Sequence, residues 1–173
     1  MILILDNLRS AHNVGALFRT ADGAGVSRIY LIGITPKPVK PTKPYLTLAE
    51  KTLKKTALGA ETSVPWSIGK TLLPVIRKLK KEGYEILALE KGVGIGSIDY
   101  RAWHAEKGKN IVLIVGNEVA GLDPKSLSLS DVVIHLPMRG VKNSLNVSVA
   151  GSIALYHLSD TIERLETKSM KHD

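Results

Sequence analysis

The chain has 173 residues, 44% of them hydrophobic, with a formal net charge of +8 and no cysteine. That is enough sequence for one domain with a sizeable core, and it excludes disulfides, thiolate metal sites and any apolar run long enough to span a membrane. The charge favours a polyanionic partner, nucleic acid before membrane, although many basic proteins are merely soluble, and the lack of cysteine fits a reducing cytoplasm.

Residues 2–5 form a short apolar run that predicts a strand, without the basic and cleavage-site features of a secretion signal. A polar loop follows over 6–13. From Val14 the pattern turns helical: Val14, Leu17, Phe18, Ala21 and Ala24 share one face, and Arg19 lies off it. Asn13 stands where it would cap or precede that helix. Gly25 ends the helix and 28–32 read as the next strand, so the chain opens with a strand–helix–strand unit and parallel strands. Ligands of such sheets bind at the carboxyl ends of the strands. Asn13 follows one such end, and Gly116, Glu118 and the loop after Leu136 follow others.

Residues 33–58 differ in composition. Pro36, Pro38, Pro41 and Pro44 alternate with Lys37, Lys40 and Lys43, and Lys51, Lys54 and Lys55 follow against one acid, Glu50. The pattern predicts an extended, exposed loop: either a solvated charged segment or an arm that contacts phosphates along a nucleic-acid backbone. Tyr45 offers one ring for stacking on a base. Residues 54–60 read as a helix end, 64–66 as a short strand, and 68–82 as a surface helix with apolar positions Leu72, Leu73, Val75, Ile76 and Leu79 opposite Arg77, Lys78, Lys80 and Lys81. Pro74 marks that helix's first turn or a kink, and Gly83 stops it.

A strand over 84–89 leads to a Gly-rich run, 92–96, that fits neither the dinucleotide fingerprint nor a P-loop and reads as a turn. After a polar connection, 111–115 is the most strand-like run of the chain. It enters a turn that carries Gly116 and Glu118, with Pro124 suited to a helix's first position. A buried strand over 131–136 precedes a loop, 137–143. Ser144 and Asn146, both N-cap types, then open a last helix to about His157, with a short tail from about residue 159. Small residues on that helix, Ser148, Gly151 and Ser152, suit close approach of another helix. No repeat or linker divides the chain, which reads as a single domain over 1–173.

Three stretches stand in a telling order: Asn13-Val-Gly-Ala-Leu-Phe-Arg-Thr-Ala-Asp-Gly-Ala-Gly-Val26, Ile114-Val-Gly-Asn-Glu-Val-Ala-Gly-Leu122, and Leu136-Pro-Met-Arg-Gly-Val-Lys-Asn-Ser-Leu-Asn-Val-Ser-Val-Ala150. Together they resemble the signature motifs of the SpoU–TrmH family of RNA ribose 2′-O-methyltransferases, in the SPOUT superfamily, over residues 1 to about 158. The resemblance implies an open, mostly parallel α/β sheet with helices on both faces and a C-terminal trefoil knot. It implies S-adenosylmethionine bound in the knot loops at Leu89, Gly116, Leu136, Met138 and Leu145, and a homodimer with its active site near the interface. RNA is the implied substrate, tRNA ahead of rRNA, in the cytoplasm. Many relatives carry an added N-terminal RNA-binding domain that this chain does not show, so RNA capture would fall to the catalytic domain, with Lys37, Lys40, Lys43, Lys54 and Lys55 as candidate contacts.

The chemistry sets its own demands. A ribose hydroxyl that attacks a sulfonium methyl in line needs two aligned substrates and electrostatic help for the developing alkoxide. By resemblance Arg19 is the catalytic arginine, surrounded by Asn13, Glu118, Ser144 and Asn146. An arginine stays protonated, so a clamp on the target phosphate suits Arg19 better than a base, though a base role assisted by the RNA phosphate stays open. Asn13 would orient the ribose or Arg19, and Glu118 would hold Arg19 or the loop. Plainer roles compete: Glu118 as an ion-pair partner, Ser144 and Asn146 as helix caps. The five histidines have no paired ligand spacing, so no metal is expected, and His12 reads as structural or RNA-facing. A non-catalytic RNA-binding protein of the same fold is the alternative; the retained Arg19 and Asn13 oppose it. A different nucleotide-binding α/β enzyme lacks its fingerprint here.

Overall fold

The computed structural model describes residues 1–39, 44–91 and 96–169. Seven strands are β1 (Ile2–Asp6), β2 (Arg28–Ile32), β3 (Trp66–Gly69), β4 (Glu85–Leu89), β5 (Ile98–Asp99), β6 (Ile111–Val115) and β7 (Val132–His135). They make one sheet in the order β3-β2-β1-β6-β4-β7-β5, and every pairing in it is parallel. Among the described residues six α-helices accompany them: α1 (Ala11–Gly23), α2 (Leu48–Ala57), α3 (Ala60–Ser63), α4 (Leu72–Lys81), α5 (Pro124–Leu129) and, after the last strand, α6 (Val147–Ser169).

The central strands are apolar throughout because both sheet faces are covered. In β1, Leu3 and Leu5 face the layer of α1, α2 and α6, whereas Ile2 and Ile4 face α4 and α5. The same alternation runs through β4 and β6, which separates two apolar layers around one sheet. None of the described helices is long and apolar enough to cross a membrane.

The chain leaves β1 into α1 on one face and leaves β6 into α5 on the other. The boundary between these neighbouring strands is therefore where a parallel sheet opens a crevice at its carboxyl edge. Residues 111–135 also straddle β4, which lies between β6 and β7. The loops after β4, β6 and β7 consequently meet at one end of the sheet.

Several boundaries depart from the sequence reading. Helix α1 starts at Ala11, because Ser10 accepts from the Asn13 N–H and acts as the cap; Asn13 lies inside the first turn. The 33–58 segment is not all loop. Thr47 and Glu50 form a reciprocal capping box that starts α2, which carries Lys54 and Lys55 exposed in its last turn. The third strand falls on 66–69 rather than 64–66, since Ile29 and Ile32 pair with Trp66 and Gly69, and α4 begins only at Leu72. Helix α6 runs to Ser169 instead of ending near 157, and Leu158 and Ile162 continue its inward face past the expected tail. Lys37 is exposed; Lys40, Lys43 and positions 92–95 of the glycine run lie outside the described residues.

Close helix approach is used inside the monomer. A Cβ on Gly151 would lie 2.8 Å from the Leu17 side chain, and Ser152 bonds Thr20 at 2.7 Å, so α6 packs its small face on α1. Gly15 brings α2 onto the other flank of α1: a Cβ there would sit 1.9 Å from Thr56 Oγ1 and 2.5 Å from the Leu53 carbonyl oxygen. The second neighbour is backbone and cannot swing away. Gly15→Ala should therefore destabilise by about 1–3 kcal/mol through overpacking. Thermal unfolding would show it as a midpoint lowered by roughly 2–4 °C per kcal/mol.

Candidate active site

Two helices begin at the crevice, and a helix start leaves backbone N–H groups without partners. Glu118, in the turn after β6, supplies the acceptor for the entry to α1, at Arg9 and the cap residue Ser10. Its carboxylate takes the N–H of Arg9 at 2.9 Å, the N–H of Ser10 at 3.0 Å and the side-chain amide of Asn13 at 3.1 Å. Asn146 does the same for α6, with Oδ1 accepting from the Ser148 N–H at 2.9 Å and the Ser148 hydroxyl at 2.6 Å. Its amide nitrogen donates to Asn13 Oδ1 at 3.2 Å. Glu118, Asn13 and Asn146 thus form one polar chain that ties the ends of β1, β6 and β7 together.

Burial pushes the Glu118 carboxyl up, but the N–H donors of Arg9, Glu118 itself, Ser10 and Asn13 outweigh it and hold the group below the ordinary glutamate value near 4.5. The carboxylate form is thus favoured, and a negative charge beside the N-terminus of α1 also complements that helix's dipole.

Beside this chain lies a cleft of about 200 Å³ at the carboxyl ends of β4, β6 and β7. Leu89, Gly116, Leu136, Met138 and Leu145 all line it. Gly116 is required there by sterics: a Cβ would lie 2.8 Å from the Gly121 carbonyl carbon and the Leu122 nitrogen. The turn therefore folds back tightly and presents backbone to the cleft. An apolar floor with convergent backbone groups suits a flat, partly apolar small molecule.

Two expected residues stand apart. Ser144 lines the cleft but does not cap α6; its hydroxyl meets Asn143 Oδ1 at 3.4 Å and no other partner among the described residues. Arg19 is exposed, lies six residues along α1 from Asn13, and so points about 240° round the helix and roughly 9 Å along it. It makes no hydrogen bond or ion pair among the described residues and does not line the cleft. Glu118 accordingly holds the loop and the helix start, not Arg19.

Sequence reasoning overlooked two residues. Asn117 donates to the Asn7 carbonyl at 2.7 Å and accepts from the Val119 and Ala120 N–H groups, which shapes the turn before Gly121. Glu90, directly after β4, lines the cleft and accepts from the Leu122 N–H at 2.8 Å. An acid at a strand's carboxyl end was the available signal for the second; an Asn beside Gly116 was the signal for the first.

The family model of the SpoU rRNA methylases matches residues 1–156. A Staphylococcus saprophyticus protein assigned to the TrmH family of tRNA/rRNA methyltransferases is 33% identical over 157 residues, which cover 91% of this chain and 57% of that protein. The chain thus spans little more than half the length of the curated relatives it matches. Among solved structures, the A. aeolicus TrmH/SpoU tRNA modifying enzyme is 28% identical with a TM-score of 0.77, and the match covers 97% of this chain and 78% of that one. An rRNA methyltransferase from Sinorhizobium meliloti, solved with AdoMet bound, is 29% identical with a TM-score of 0.74, covering 90% of this chain and 54% of its own.

The lowered Glu118 carboxyl has a pH signature. Stability from a depressed carboxyl is fully present above its unfolded value and is lost as pH falls through the folded one. Glu118→Gln should cost about 1 kcal/mol at neutral pH. In denaturant melts the gap between wild type and variant should hold down to about pH 4.5 and close below it; a gap that widens with acid would contradict the assignment.

Proposed function

The chain belongs to the SpoU rRNA methylase family, and on that footing we propose that it methylates a ribose 2′-hydroxyl of RNA with S-adenosylmethionine, in tRNA rather than rRNA. The observation that carries this reading is the cleft at the carboxyl ends of β4, β6 and β7, walled by backbone that Gly116 allows to approach closely. Its apolar residues, Leu89, Leu136, Met138 and Leu145, suit an adenine and a methionine chain, and its backbone groups suit their polar edges. The preference for tRNA is supported by likeness to the A. aeolicus tRNA modifying enzyme, most of whose length the chain matches. An RNA substrate fits a reaction in the cytoplasm. The reading includes the C-terminal knot, which the straddling of β4 by residues 111–135 supports.

S-adenosylmethionine supplies an electrophilic methyl on a positively charged sulfur. The protein's part is alignment and charge. Asn13 and Asn146, fixed by Glu118 and by the α6 N-terminus, give the cleft's rim a rigid polar edge for the ribose. Ser144 and Leu145 close the cleft beside them. Arg19, permanently cationic and without a partner among the described residues, binds the phosphate next to the target nucleotide and stabilises the alkoxide that develops as the hydroxyl passes its proton to that phosphate or to water. Exposed Lys37, Lys54 and Lys55 contact the RNA backbone further out.

Arg19 lies off its own cleft, which supports a homodimer in which one subunit's Arg19 serves the other's cleft. Helix α6 offers an apolar face for it: Val149, Ile153 and Tyr156 are 47%, 38% and 50% exposed at positions i, i+4 and i+7.

Methyl transfer from labelled S-adenosylmethionine to separated RNA pools, followed by mapping of the modified nucleotide, tests the reaction. Label in a ribose of tRNA is expected; no transfer to any pool would leave a non-catalytic RNA-binding protein instead. Arg19→Ala should abolish transfer while cofactor binding, followed by calorimetry, stays within about twofold of wild type. Ile153→Asp should turn a dimer into a monomer in sedimentation and remove transfer with it; an active monomer would sink the shared site.

A further inference from the structure

Glu90 sits at the junction of the three loops that form the cleft. Its backbone N–H donates to the Ile134 carbonyl of β7 at 3.1 Å. Its side chain reaches the other way: Oε2 accepts the Leu122 N–H at 2.8 Å and Oε1 accepts the Lys91 N–H at 2.9 Å. Gly121 leaves room for it, since a Cβ there would lie 2.3 Å from Oε2 and 2.9 Å from Cδ, and its φ of +70° is one that favours glycine. One carboxylate therefore fastens the turn after β6 to the end of β4, and no Lys or Arg pairs with it among the described residues. Among the described residues, the exposed Lys91 and the N–H-bound Glu118 are the other charged groups on the cleft wall.

We infer that Glu90 is a positioning residue of this cleft that also makes it prefer a cation: it locks the 116–122 turn in register and leaves a fixed negative charge beside the cofactor. The inference rests on the S-adenosylmethionine reading. That cofactor carries a sulfonium, whereas S-adenosylhomocysteine, the product left after methyl transfer, is neutral at the same sulfur. A carboxylate whose two oxygens each hold one N–H keeps a lone pair and its charge for the ligand. Discrimination between substrate and product then follows from Coulomb attraction in a partly dry cleft, and it would favour release of the spent cofactor.

Glu90→Gln keeps the shape but removes the charge and leaves one of the two N–H groups facing an amide nitrogen. Calorimetric titration with S-adenosylmethionine should show about a tenfold loss, against about threefold or less for S-adenosylhomocysteine. Amide exchange at Leu122 should accelerate. Glu90→Asp keeps the charge with a shorter reach, so it should keep the preference for the cation while losing the protection at Leu122; it decides the matter alone if Glu90→Gln does not fold. Equal losses for both ligands, or no loss for either, overturn the inference and leave a merely structural residue. Wild-type protein that binds neither ligand overturns the cofactor reading beneath it, a result visible before any variant is made.

Discussion

Parallel strands impose one constraint on everything else here. Each strand needs a crossover to reach the next, so all carboxyl ends lie on one side, and each following helix starts there with backbone N–H groups that need acceptors. The protein answers with side-chain carbonyls and carboxylates from distant loops. Glu118 satisfies the start of α1, and Asn146 satisfies the start of α6 and reaches Asn13 on α1. These polar groups can line a site without a large desolvation penalty because their donors are already in place. The same bonds that finish the fold therefore stiffen the rim on which the proposed chemistry depends.

Glycine supplies the complementary part. Gly15, Gly116 and Gly151 each stand where a Cβ would meet a neighbour at 2.8 Å or less. Gly15 and Gly151 let α2 and α6 approach α1 from its two flanks, which sets the orientation of the helix that carries both Asn13 and Arg19. Gly116 lets the turn after β6 fold back so that it lies against Leu122. Rigidity at the rim and tight packing behind it are two aspects of one arrangement.

The sheet was legible because parallel strands covered on both faces read as continuous apolar runs: 2–5, 28–32, 84–89 and 111–115 all fall within a residue of the observed strands. Short edge strands were not, since Trp66–Gly69 owes its extent to pairing with β2 rather than to its own composition. The first turn of α1 was hidden because Ala11, His12 and Asn13 look like loop, and what holds them as helix is Ser10 together with a carboxylate more than a hundred residues away. A capping box at Thr47 and Glu50 was present in the text of the sequence but masked by the lysine and proline density around it. In the site, Asn13, Glu118 and Asn146 stood out as polar residues after strand ends. Which of them bond to each other was settled by the fold, and the fold also turned Arg19 away from them.

The polar chain across the crevice joins residues very far apart in sequence: Arg9 to Glu118, Asn13 to Asn146, and beyond them Ala24 to Ser159. Non-local contacts of this span form late, after the entropy of closing long loops has been overcome. During synthesis from the amino terminus, the N–H groups of Arg9 and Ser10 at the entry to α1 lack their acceptor until Glu118 has left the ribosome. Asn13 Oδ1 lacks its donor until Asn146 follows. A nascent or truncated chain thus carries the basic α1–α2 surface without a finished rim, and the rim is complete only once β7 and the start of α6 have followed.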